Sequence, residues 1–183
     1  MEQSEPANVK VATLQDAAML AGLGADTFCE TFAGSNTDED MKAYLAENFT
    51  VSALEQQLES ESNTFLIAEL FGRAVGYAKL RVGSLDPSVT GANPIELERL
   101  YVLTAYIGQR VGAALMEACL RRAASLGFDT IWLGVWEHNP RALGFYQRWG
   151  FQKVGSHIFR LGEDLQNDFI MQRDLERILA DSE

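Results

Sequence analysis

WEHNPRALGFYQRWGF, residues 136–151, continues the apolar run TIWLGVW of Thr130–Trp136. Asn139 and Pro140 open a segment in which Ala142, Phe145, Tyr146 and Trp149 recur at helical spacing, and Gly150-Phe151 closes it. Asn is a favoured N-cap, Pro a favoured first helical residue, and Gly a usual residue just past the last turn. The stretch therefore predicts a buried strand feeding a short helix whose first turn faces whatever lies beyond the strand end. Tyr146, two turns into that helix, is within reach of the same place.

The flanking sequence extends the pattern. Asn8–Thr13 alternates apolar and polar residues and reads as a strand. Leu14–Ala33 reads as a helix with Leu14, Ala18, Ala21, Phe28 and Phe32 toward the core and internal glycines as candidate breaks. Thr37 or Asp38 can cap a second helix whose Met41, Tyr44, Leu45 and Phe49 make an apolar stripe. Ser52 and Glu55 have capping-box spacing for a third helix over Ser52–Ser60. Thr64–Leu70 and Ala74–Val82 read as a hairpin about Phe71-Gly72-Arg73, and Gly83–Pro94 is a loop of turn formers. Ile95–Val102 is a strand, and Gly112–Leu126 is a helix ended by Gly127. The unbroken apolar run of Thr130–Val135 implies burial on both faces. Phe151–Arg160 and Asp168–Arg173 close the chain as strands around LGEDLQ. The mixture predicts an α/β (α+β) domain on a mixed, mostly antiparallel sheet.

At 183 residues the chain is long enough for one domain spanning 1–183, with Met1–Pro6 expected to be disordered. No apolar run approaches the roughly 20 residues that span a bilayer, and MEQSEPANVK lacks the basic flank and apolar stretch of a signal peptide. Cys29 and Cys119 fall on apolar helical stretches and read as buried free thiols in a reducing compartment, the cytoplasm. The net charge of −11 argues against nucleic acid and would draw in cations. His138 and His157 are the only histidines, without a cysteine cluster, so no metal is expected, and His138 reads as a helix-entry residue. Trp132 and Trp136 read as core.

Residues 136–151 resemble the second signature of the GCN5-related N-acetyltransferases (GNAT), which move an acetyl group from acetyl-CoA to an amine. The resemblance implies a sheet of six to seven strands with a V-shaped central splay, flanked by four to five helices. It implies acetyl-CoA as co-substrate, Asn139 on the pantetheine arm, Tyr146 as the acid that protonates the leaving thiolate, and Arg148 near the CoA phosphates. The family's cofactor loop has the pattern Q/R-x-x-G-x-G/A between a strand and a helix. Backbone N–H groups at such a helix start can cradle a pyrophosphate. Anchored on the following helix, the loop is Ile107-Gly108-Gln109-Arg110-Val111-Gly112, with Ile107 for the usual Gln or Arg and Arg110 for the first Gly. A literal match lies two residues on, at Gln109, Gly112 and Ala114, but lengthens the link from the strand.

In IELERLYV, Ile95–Val102, period two groups Glu96, Glu98, Leu100 and Val102 on one face and Leu97, Arg99 and Tyr101 on the other. The resemblance implies that Leu100, Tyr101 and Val102 contact the cofactor. It also implies that the strand bulges near Val102 and that a free N–H there meets the thioester oxygen. A glutamate six residues earlier, Glu96, is the candidate base, with Glu98 second. Either carboxylate could instead pair with Arg81 or Arg99 at a solvated edge.

TFCETF (Thr27–Phe32), MKAYL (Met41–Leu45), IELERLYV, IWLGVWEHNPRALGFYQRWGF and VGSHIFRLGEDLQNDFIM (Val154–Met171) are similar to bacterial spermidine/spermine N-acetyltransferases of the PaiA type. That implies a small cationic polyamine acceptor. Glu30, Asp38, Glu39, Asp40 and Glu47 are then expected to wall the acceptor cleft. Two other readings stay open: another amine (a protein N-terminus, lysine, amino acid or antibiotic), or a CoA-binding regulatory module without turnover. Homodimers are common in the superfamily, and nothing in this sequence requires one.

Overall fold

The computed structural model describes residues 6–161 and 164–175. The strands are β1 (Asn8–Val11), β2 (Asn63–Leu70), β3 (Arg73–Arg81), β4 (Pro94–Val102), β5 (Thr130–Trp136), β6 (Gln152–Leu161) and β7 (Asp164–Asp174). The helices are α1 (Ala17–Phe32), α2 (Asp38–Asn48), α3 (Val51–Glu59), α4 (Val111–Ser125) and α5 (Pro140–Arg148). The strands form one sheet in the order β1-β2-β3-β4-β5-β7-β6. Every neighbouring pair is antiparallel except β4–β5. Among the described residues this gives a mixed, mostly antiparallel seven-stranded sheet with five α-helices, the α/β architecture expected from the sequence. The expected disorder of Met1–Pro6 falls, Pro6 apart, outside the described residues, as does Gly162-Glu163 at the centre of LGEDLQ. Among the described residues no helix is long and apolar enough to cross a membrane.

Two cores, one on each face, hold the sheet. Leu115, Met116, Cys119 and Ala123 of α4 pack with Tyr146 of α5 over Leu66, Ala78, Leu97 and Leu133. Leu20, Leu23 and Phe28 of α1 pack with Met41, Phe49 and Leu54 over Phe65, Ile67 and Tyr77 on the other face. Both faces being covered explains why β5 reads as an apolar run rather than an alternation.

α2 and α3 each start where a threonine oxygen takes up a free N–H group. Thr37 Oγ1 accepts from Asp40 N–H, and Thr50 Oγ1 from Ala53 N–H. The third helix is therefore capped at Thr50, not Ser52, two residues earlier than the capping-box spacing suggests. Leu14 and Ala18 are exposed rather than core, because Leu14 lies in a short 3₁₀ turn that precedes α1. The glycines do not break α1. Gly24 lies under the Phe49 ring, where an added Cβ would come within 2.4 Å of ring carbons.

Two departures from regular strand geometry shape the centre of the sheet. β4 pairs with β5 only over Pro94–Glu96, opposite Thr130–Trp132, and the two strands part beyond that point. On its other edge β4 stays paired with β3 as far as Gly76↔Val102, but the register slips between Lys79↔Arg99 and Leu80↔Leu97, leaving Glu98 as the extra residue. The bulge is thus at Glu98, not near Val102. It also overturns the period-two grouping, since one extra residue flips every side chain after it. Leu97, Leu100 and Val102 pack on the α4 face, while Tyr101 packs with the α1 core and Arg99 stacks on Phe49.

Candidate active site

The parting of β4 from β5 opens a cleft of about 720 Å³. Leu103 N–H bonds back to Val75 carbonyl across the β3 edge at 2.9 Å. Backbone N–H groups alternate sides along an antiparallel ladder, so those of Leu100 and Val102 point away from β3, toward the open slot. Leu100, Tyr101 and Val102 all line the cleft.

The loop before α4 lines one end of it through Ile107, Gly108, Arg110, Val111 and Gly112. Gln109 does not; its side chain turns back to donate to Ala105 carbonyl at 3.2 Å. Gly108 has φ +87° and Arg110 has φ +64°, so the arginine occupies a left-handed position that suits glycine. That backbone supports the register with Arg110 in place of the family's first glycine. No side chain caps α4. The N–H groups of its first turn have no acceptor within the helix and carry the positive end of the helix dipole, which suits an anion. A non-glycine residue in this conformation costs about 1 kcal/mol or more. Arg110→Gly is expected to stabilise the fold by roughly 0.5–1 kcal/mol after the added chain entropy. Calorimetry should show Tm rising by roughly 2–3 °C.

α5 is built as its sequence predicts. Asn139 Oδ1 accepts Ala142 N–H at 3.1 Å, and Pro140 occupies the first turn. At the other end Phe151 N–H reaches Tyr146 carbonyl and Gly150 N–H reaches Gln147 carbonyl, a Schellman closure with Gly150 at φ +81°. Asn139, Tyr146 and Arg148 all line the cleft. The Tyr146 ring is wedged edge-on against Phe145 and Phe151. Burial pushes the phenol well above its ordinary pKa, so it stays protonated at neutral pH. Nearby Cys119 is a free thiol, pushed up to about 12 by burial, and is inert. Arg141, which the sequence reading passed over, lines the cleft along with Arg110 and Arg148, so three exposed guanidiniums contribute to the lining in an acidic protein.

Glu96 and Glu98 line the cleft and are engaged differently. Arg81 reaches Oε2 of Glu96 through Nε at 2.8 Å and Nη2 at 2.7 Å, leaving Oε1 without a partner among the described residues. Glu98 meets Lys79 at 2.7 Å, Arg81 at 3.4 Å and Arg99 at 3.6 Å. Burial alone would raise the Glu98 pKa, but Lys79, Arg99 and Arg81 outweigh it and hold the carboxyl below its usual range. Lys79 is in turn pulled down by its own burial against the lift from Glu98. The ion-pairing reading thus holds for both carboxylates, and the pairs lie in the cleft lining.

The acids of α1 and α2 do not wall this cleft. Glu30 instead accepts Thr104 N–H at 2.7 Å, and Asp40 bonds to its own cap, Thr37. Asp38, Glu39 and Glu47 are exposed. The cleft's remaining carboxylate is Asp168 of β7, beside His157 of β6, a pair the sequence reading did not single out. His157 Nε2 lies 4.0 Å from Asp168 Oδ2, and its Nδ1 lies 3.4 Å from Asp86 Oδ2. Only the strand pairing His157↔Asp168 brings these distant positions together. Arg99, at 7% exposure, also lines the cleft, where the sequence reading had placed it only as a possible ion-pair partner.

The site is thus a sheet parted between two strands, with an uncapped helix start, a phenol and carboxylates lining the cleft between them. The profile of the acetyltransferase (GNAT) family matches residues 26–151, and the chain belongs to that family. It is an N-acetyltransferase. An uncharacterized N-acetyltransferase of Mycobacterium tuberculosis is 35% identical over 88% of this chain and 99% of its own length. One from Lactobacillus delbrueckii subsp. lactis is 29% identical over 88% of this chain and 93% of its own length. Among solved structures, PaiA N-acetyltransferase from Thermoplasma acidophilum, in complex with coenzyme A, superposes with a TM-score of 0.76 at 20% identity. That superposition covers 93% of this chain and 99% of the other.

Proposed function

We propose that the protein transfers the acetyl group of acetyl-CoA directly to a primary amine of a small polyamine such as spermidine or spermine, in the cytoplasm. The observation that carries this reading is the parted β4–β5 edge, with Tyr146 and three carboxylates lining one slot. The uncapped start of α4 and Arg110, Arg141 and Arg148 fit the phosphates of acetyl-CoA, and Asn139 and the Leu100–Val102 edge fit its arm. Bound there, acetyl-CoA supplies a thioester carbonyl open to attack.

The chain's own residues do the rest. An alkyl ammonium has a pKa of roughly 10.4 and must lose a proton before it attacks. Glu96, with Oε1 unpartnered, accepts that proton through water. Glu98, committed to three cations, fixes Arg81 and Lys79 and supports Glu96 as the base. Val102 N–H donates to the oxygen on which charge develops. Tyr146, held neutral by burial, gives its proton to the departing sulfur.

One observation favours a second acceptor. Arg99 and Arg81 in the cleft could meet a carboxylate or peptide carbonyl, as on a protein N-terminus or amino acid. A relative 27% identical over 66% of this chain is named an N-alpha-acetyltransferase, from Sulfurisphaera tokodaii. Steady-state acetylation of spermidine, spermine, amino acids and N-terminal peptides separates the two. Polyamines are expected to give the highest kcat/KM, and preferred turnover of a peptide or amino acid would replace the acceptor.

A further inference from the structure

Among the described residues, Asp168 is the cleft carboxylate that has neither a lysine nor an arginine beside it. Glu96 has Arg81, and Glu98 has Lys79, Arg81 and Arg99. Asp168 has only His157 at 4.0 Å, and that imidazole is turned by its other nitrogen toward Asp86. With a side chain 14% accessible, Asp168 is mostly withdrawn from water. A carboxylate so placed without a countercharge lowers stability, and the usual complement is a cation.

The surroundings leave room for one. Gly134 is the exposed residue in an otherwise buried stretch of β5 and lines the cleft. A Cβ on it would stand 3.5 Å from Asp168 Oδ2 and 3.6 Å from His157 Cε1, so glycine keeps the ground between the strand and this pair open. The pair is also held in place. Asp86 takes Ser88 N–H at 2.8 Å, and the loop that carries it is tied to β7 by two bonds between Thr90 and Gln172. Ser88 sits over Gly155, where an added Cβ would come within 2.4 Å of the serine.

We propose that Asp168, positioned by His157 and Asp86, is the seat for a second, non-reacting ammonium of the acceptor, and so selects polyamines over monoamines. The inference rests on the polyamine reading above and assigns one residue to its specificity. The charged groups around the seat agree with it: Glu137 just past β5, Asp86 on the loop and Asp168 itself are acids, and among the described residues the base beside Asp168 is His157. Burial, with Glu137 adding to it, pushes Asp168 up to about 6 against the opposing pull of His157. An ammonium arriving there would favour the charged carboxylate, so affinity for spermidine should rise with pH through about 6.

The test compares wild type with Asp168→Asn on spermidine and on propylamine. The substitution is expected to lower kcat/KM for spermidine at least tenfold, through KM, while propylamine turnover and acetyl-CoA KM stay within twofold. Calorimetric titration of spermidine into the CoA-saturated protein should show the same loss of affinity and of its pH dependence. Folding is checked separately. Because the folded Asp168 pKa is raised, the stability linked to its proton is present below pH 4 and lost as pH rises through about 6. The variant's Tm should therefore exceed wild type at pH 8 and not near pH 4. Equal losses on both amines, or unchanged spermidine affinity in a well-folded variant, would overturn the assignment. A wild-type enzyme that acetylates no polyamine would sink the function proposal and this one with it, whereas turnover of spermidine by an unimpaired Asp168→Asn would sink this one alone.

Discussion

Tyr146→Phe is expected to lower kcat by about 10²–10⁴, the range over which positioned proton transfer contributes. The change removes one oxygen from a ring fixed by Phe145 and Phe151, so the fold and the start of α4 should be untouched. The dissociation constant for acetyl-CoA should therefore stay within about twofold, read by calorimetry, with the loss confined to turnover. The pH profile adds a second readout. A buried phenol stays protonated through neutrality, so wild-type activity should show no descending limb below about pH 9. If kcat is unchanged in the variant, the thiolate takes its proton from water and the residue is only a packing aromatic.

Glu98→Gln carries the largest expected stability loss. It leaves Lys79 and Arg99, which are 5% and 7% accessible, without the carboxylate that sits among them. Breaking a buried pair by removing one partner costs roughly 3–5 kcal/mol, since the remaining charge stays desolvated. For a chain of this size that is a fall in Tm of roughly 10 °C. Adding Lys79→Met should recover part of the loss by removing one stranded cation. The sign with pH follows from the lowered Glu98 pKa. Its contribution is present above the unfolded value of roughly 4.3 and disappears as pH falls through the folded one. The gap between wild type and variant should accordingly shrink on acidification below pH ~4. A gap that stays constant to low pH would mean the carboxylate stabilises by packing alone.

These two sites differ in how legible they were. The α5 unit was readable because its signals are local: Asn139 and Pro140 set the start, Gly150 the end, and Ala142, Phe145, Tyr146 and Trp149 the buried face. The same holds for the buried strand before it and for the start of α4, where Arg110 takes a left-handed backbone. Glu98 was readable only as a residue type. Strict alternation put it on a face with Leu100 and Val102, and a bulge has no sequence signal as plain as a cap.

What the sequence by itself determined, then, is whatever depends on neighbours along the chain: most helix starts and stops, the two-faced burial of β5, the hairpin turn at Phe71-Gly72-Arg73, and the phenol two turns into α5. What only the tertiary structure decided is which charges meet. The one-residue slip at Glu98 turned Arg99 toward Phe49, and the β6–β7 register set His157 beside Asp168. The acids of α1 and α2 lie apart from the cleft, although their composition pointed to it. The physical reason is range. Backbone geometry and capping act within a turn or two, whereas the fields that tune a carboxylate act through space, between residues whose separation along the chain says nothing about their distance.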